Sequence, residues 1–153
     1  MGRLYSSERV FNGDLPAADG SDHVEAARKF LYAMREIDSP DSPLSGMTFG
    51  SVITGNANRR SDVDFLIIYS TLEQLEALGA LELDLAKQHN VVVEAQTFQA
   101  GAFDSPATHD VSPLFGSHLL DVQDNYPQWS HGSPVEALRS FVIGPDSTDT
   151  END

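Results

Sequence analysis

Apolar positions recur every three or four residues from Val24 through Ala27, Phe30, Leu31 and Met34 to Ile37. That spacing predicts an amphipathic helix. Asp22 reads as its N-cap, with Glu25 three residues on, and the prolines of SPDSP (residues 39–43) end it. The period then shortens. Met47 to Phe49 is a brief apolar run that stops at Gly50-Ser51, and after a polar, Gly/Asn-rich connection a second run begins at Asp62-Val63-Asp64 and continues Phe65 to Tyr69. Short runs rich in β-branched and aromatic residues predict buried strands.

A helical pattern follows, with Ser70 as cap and Glu73 completing a capping box. Leu72, Leu75, Leu78, Leu81 and Leu85 give it an apolar side, Gly79 is a candidate break, and Asn90 suits a left-handed C-cap. VVVEAQTF (residues 91–98) reads as a third strand and residues 99–110 as a loop. Ser112-Pro113 starts a further helix that turns Leu114, Phe115, Leu119 and Val122 inward, with His118 on the same stripe. A last helix starts at Ser133-Pro134 and buries Leu138 and Phe141. Residues 1–20 carry little pattern. These elements give one α/β domain over residues 1–143, a small mixed sheet with helices on one face, followed by a disordered acidic tail at 144–153.

Candidate chemistry sits where the second strand begins. Side chains alternate along a strand, so Asp62 and Asp64 project to one face with Cα atoms roughly 6.6 Å apart. Two carboxylates so placed repel each other unless a cation lies between them, and oxygen ligands suit Mg²⁺ or Mn²⁺. Gly50-Ser51 supplies a close backbone approach and a hydroxyl, which suit a phosphate. Arg59 and Arg60 precede the carboxylates, where a guanidinium can meet a triphosphate, although solvated loop arginines explain them equally well. Glu94 interrupts a β-branched run and shares a strand face with Val92, Gln96 and Phe98. Glu82 and Asp84 fall in a helical pattern and are weaker candidates.

Apolar strand, Gly50-Ser51, the ten residues VITGNANRRS, Asp62-Val63-Asp64 and a second apolar strand together resemble the signature of the polymerase β-like nucleotidyltransferase superfamily, in its minimal (MNT) branch. The resemblance covers residues 47–69 specifically and extends to residue 98 in outline. It implies a palm-like fold and transfer of a nucleoside monophosphate from an NTP, ATP foremost, to an acceptor hydroxyl. Asp62 and Asp64 would hold Mg²⁺ or Mn²⁺, Glu94 would be a third metal ligand or base, and Gly50 and Ser51 would seat the β- and γ-phosphates. MNT proteins often pair with HEPN toxins, which implies a protein acceptor. An aminoglycoside-modifying enzyme and a non-catalytic nucleotide- or partner-binding module are the alternatives.

Composition narrows the partner. The 153 residues carry 24 acids against nine bases, a net charge of −15. Such a surface disfavours nucleic acid and favours a basic protein or a cationic small molecule, although an acidic surface also serves solvation. With no cysteine there is neither a disulfide nor a thiolate metal site. No run reaches the ~20 apolar residues of a membrane span, and the first residues lack a signal-peptide core. A cytoplasmic protein, alone or in a homo- or hetero-oligomer, is the expectation.

Overall fold

The computed structural model describes residues 2–6, 15–100 and 113–136. Most of the 99–110 loop, the Ser112 cap, Leu138 and Phe141 of the last helix, and the acidic tail lie outside these residues. The elements are β1 (Gly2–Ser6), α1 (Ser21–Ile37), β2 (Ser45–Phe49), α2 (Ser51–Thr54), β3 (Asp62–Tyr69), α3 (Leu72–His89), β4 (Val92–Gln99), α4 (Pro113–Asn125) and β5 (Ser130–His131). Five strands form one sheet in the order β1-β4-β3-β2-β5. β3 and β4 run parallel, joined by the crossover helix α3, and the remaining pairs are antiparallel. The sheet is mixed, as expected, and the edge strands β1 and β5 are additions to the sequence reading.

The helices flank both faces of the sheet, where the pattern had suggested one. Val63, Phe65 and Ile67 of β3 pack with Ala27, Phe30, Leu31 and Met34 of α1 and with Leu78 and Leu85 of α3. Phe30 and Phe65 anchor that layer with ring centroids 4.2 Å apart. Leu66 and Ile68 point the other way, into a second cluster with Met47, Phe49, Phe98 and the α4 residues Leu119 and Val122. Strand alternation therefore divides β3 between two cores.

Helix ends differ from the pattern by a residue or two. α1 is capped by Gly20 at φ 79°, and Asp22 instead lies in its first turn and accepts from the Ala17 N–H at 2.6 Å. α3 is capped by Thr71 with Gln74 as the reciprocal partner. The predicted Ser70 hydroxyl is committed elsewhere, donating to the Pro43 carbonyl at 2.5 Å. This register leaves Leu72 64% exposed and turns Glu82 fully inward. Gly79 does not break α3, which runs unbroken to the left-handed Asn90 at φ 55°.

Candidate active site

The parallel pairing of β3 with β4 sets Asp64 directly beside Glu94. Neighbouring strands lie about 4.8 Å apart, so residues in register on one face bring their side chains together. Asp62, two residues before Asp64, shares that face. One carboxylate oxygen from each of Asp62, Asp64 and Glu94 lies within 4.8 Å of the other two, and all three residues are half-buried. The donor set is all hard oxygen and carries three formal negative charges, which fits a divalent cation such as Mg²⁺.

Gly50 closes the other side of this group. It follows β2 at φ 87° and ψ −145°, a conformation that side-chain-bearing residues rarely adopt. A Cβ at that position would stand 3.0 Å from Asp64 Oδ2, so the bare glycine lets the main chain pass against the carboxylate. Ser51 then opens the single turn α2, which ends at Gly55. Buried Thr48, one strand over from β3, donates its hydroxyl to the Asp64 carbonyl at 2.7 Å.

The ten-residue connection is fastened to the start of α1. The His23 Nε2–H donates to the Ser61 carbonyl at 2.9 Å, immediately before Asp62. Arg59 Nε donates to the Pro16 carbonyl at 3.0 Å. A Cβ on Gly20 would stand 2.5 Å from the Ala57 carbonyl oxygen, so only glycine lets the two segments close up. Arg59 and Arg60 are both exposed, with Arg59 partly committed to this fastening. The sequence reading did not single out His23 or Thr48. A histidine two residues into an amphipathic helix, and a threonine in a strand, carry no local mark of what they will meet.

Glu82 belongs to a different layer. It is completely buried on α3, and neither carboxyl oxygen has a hydrogen-bond partner among the described residues. Burial, with a lesser contribution from the negative charge of Glu94, pushes its pKa up to about 8. Its helical phase, three and four residues from Leu78, Leu85 and Ala86, is the signal that could have found it.

Comparison with known families matches residues 27–107 to the family described as Nucleotidyltransferase domain, more than half of the chain. The chain belongs to the nucleotidyltransferase domain family. Its activity is therefore that of a transferase of nucleotidyl groups, with an NTP as substrate. The matched span includes the Gly50-Ser51 turn and all three grouped carboxylates. Comparisons with curated proteins and with solved structures return no match. Among the described residues, no helix is long and apolar enough to cross a membrane.

Proposed function

We propose that this nucleotidyltransferase is an MNT-type enzyme that moves a nucleoside monophosphate from an NTP, with ATP the first candidate, to an acceptor hydroxyl on a protein. The observation that carries the reading is the convergence of Asp62, Asp64 and Glu94 beside the Gly50 turn. Asp62 and Asp64 would hold Mg²⁺ or Mn²⁺, with Glu94 completing the ligand set or accepting the proton of the acceptor hydroxyl. Gly50 and Ser51 would seat the β- and γ-phosphates, and the exposed Arg59 and Arg60 lie on the connection next to that seat. When bound, the metal supplies charge neutralisation for the transferring phosphoryl group. The chain's own residues hold the reactants in line and exclude competing poses, from which most of the acceleration in such transfers derives.

The net charge of −15 supports a basic acceptor, and a basic toxin protein, with this chain in the antitoxin-like role, satisfies that charge. Dependence on NTP suits a cytoplasmic setting. Two measurements test the reading. Mg²⁺ and ATP together should raise the unfolding temperature where neither does alone, with a gain of about 2.7 kcal/mol when ligand stands a hundredfold above its dissociation constant. Transfer of label from [α-³²P]ATP to a protein acceptor should then require Asp64. Absence of the thermal shift with all four NTPs at millimolar metal would overturn the assignment.

A further inference from the structure

The sheet does not hold its three grouped carboxylates equally. Glu94 lies between β3 and β1, and Asp64 lies between β4 and β2, opposite Phe49. The ladder from β3 to β2 ends at that pair, because the chain leaves β2 at Gly50. Asp62 therefore projects two residues past β2, with a ladder neighbour on the β4 side alone, beside Val92, among the described residues. The ends of elements open at the least cost in free energy, so an end paired on one side needs a further hold. His23 supplies one. Its ring Nε2 stands 2.9 Å from the Ser61 carbonyl, the group that leads directly into Asp62. A carbonyl can only accept, so this nitrogen carries the hydrogen and donates.

His23 is itself firmly placed. It is completely buried in the first turn of α1. The neighbouring Asp22 accepts from the Ala17 N–H at 2.6 Å and meets His89, at the end of α3, at 3.4 Å. α1 packs on the sheet face that carries Val63 and Phe65, and the carboxylates lie on the other. His23 thus approaches Asp62 from behind, and the bond it makes there is to main chain. We propose that His23 is a positioning residue for Asp62: by holding the Ser61 carbonyl it fixes how β3 starts, and so how the Asp62 carboxylate is presented to a divalent cation. The proposal rests on the nucleotidyl-transfer reading above and adds to it a residue outside the reacting groups. Groups that orient a metal's ligands are worth roughly ten- to a hundredfold in metal affinity or activity when removed. The two residues are far apart in the chain, so the start of α1 and the metal site are built together or not at all.

The test is calorimetric titration of the full chain with Mg²⁺, in wild type and in His23→Gln, His23→Asn and His23→Leu, beside urea unfolding of each. A glutamine amide can put an N–H where the ring Nε2–H stands, an asparagine amide falls one methylene short, and leucine has no donor. His23→Gln should keep Mg²⁺ affinity within about twofold of wild type, and the other two should lose roughly tenfold. The Mg²⁺ concentration for half-maximal transfer should rise by the same factor. If His23→Leu does not fold, the glutamine and asparagine variants decide the matter, since both place a neutral amide in the same buried position. Unchanged affinity in His23→Asn with lower stability would mean that His23 only supports α1, and would overturn the proposal. Equal losses in His23→Gln and His23→Asn would overturn it too, because the donor would then not be what matters. Either result, with wild type binding Mg²⁺, leaves the metal site standing. A wild-type chain that binds no Mg²⁺ at millimolar concentration would overturn both.

Discussion

Asp64 and Phe65 are neighbours in the chain and belong to different parts of the molecule. Phe65 is 1% exposed and stacks on Phe30 in the layer beneath α1 and α3. Asp64 turns to the opposite face and joins Asp62 and Glu94, while Leu66 and Ile68, further along that face, pack with α4. One face of the strand is thus core along its whole length. The other is core at its C-terminal end and charged at its N-terminal end. The contrast shows how a small domain separates folding from chemistry: a strand's period of two lets one segment serve both, provided the charge is confined to the end where the sheet opens. Burial on the first face stabilises the fold. Clustered carboxylates on the second work against it until a cation arrives.

Substitutions at the two neighbours should break the molecule in opposite ways. Asp64→Asn should lower transfer by about a hundredfold or more, since loss of even an outer partner of a metal ligand typically costs ten- to a hundredfold. Its apo form should be no less stable than wild type, because one of three crowded charges is gone. Phe65→Ala should cost about 3–5 kcal/mol of stability by leaving a cavity against Phe30. Chemical denaturation and a transfer assay on the same two proteins read both effects. If Asp64→Asn unfolds the chain, the carboxylate is structural and the division between faces fails.

Glu82 is the exception on the folding face, and pH exposes it. A carboxyl with an ordinary pKa of 4.5 raised to about 8 by burial holds its proton longer folded than unfolded. Between those values the unfolded state binds fewer protons, so stability falls as pH rises through the window and levels off above about 8. At 1.36 kcal/mol per tenfold change the total is on the order of 5 kcal/mol. Glu82→Gln removes the titration, and its stability should run flat relative to wild type over the same window. The buried amide is still polar and unpaired, so the decisive quantity is the slope and not the absolute stability. Parallel slopes for the two proteins would mean that Glu82 titrates normally and that α3 does not seal it from water.

What the sequence made legible follows the same division. Asp62 and Asp64 were readable because two residues of one strand fix their own relation. Glu94 was legible as an acid interrupting a β-branched run, and only the resemblance to the nucleotidyltransferase signature implied its place with the pair; the parallel pairing of β4 with β3 is what brings it there. Pairings that depend on distant segments were not. The five residues of β1 and the two of β5 are too short to show a period, and they are strands only because β4 and β2 offer edges. The start of α3 was ambiguous for a different reason. Ser70 with Glu73 and Thr71 with Gln74 both satisfy the capping-box spacing, one residue apart. The choice was made by the 39–43 loop, which takes the Ser70 hydroxyl at Pro43 and the Gln74 amide at Ser42.

Thr48 gives the smallest effect and the finest test of how separate the two regions are. It is completely buried in β2, and its hydroxyl reaches the carbonyl of Asp64, so a residue of the core touches the main chain of the site. Thr48→Val keeps the branched shape and the strand preference and removes one hydrogen bond. The expected cost is about 1 kcal/mol, or a fall of roughly 2–4 °C in Tm for a chain of this size. If β3 is held by its ladder to β2 and β4, the Asp64 carboxylate stays in place and Mg²⁺ affinity should be unchanged within about twofold. Isothermal titration beside thermal unfolding distinguishes the cases. A loss of metal affinity of tenfold or more would be at least as large as the whole stability cost, since tenfold corresponds to about 1.4 kcal/mol. The hydroxyl would then be acting through Asp64 as a positioning group, and the site would depend on the core one strand deeper than the alternation of β3 suggests.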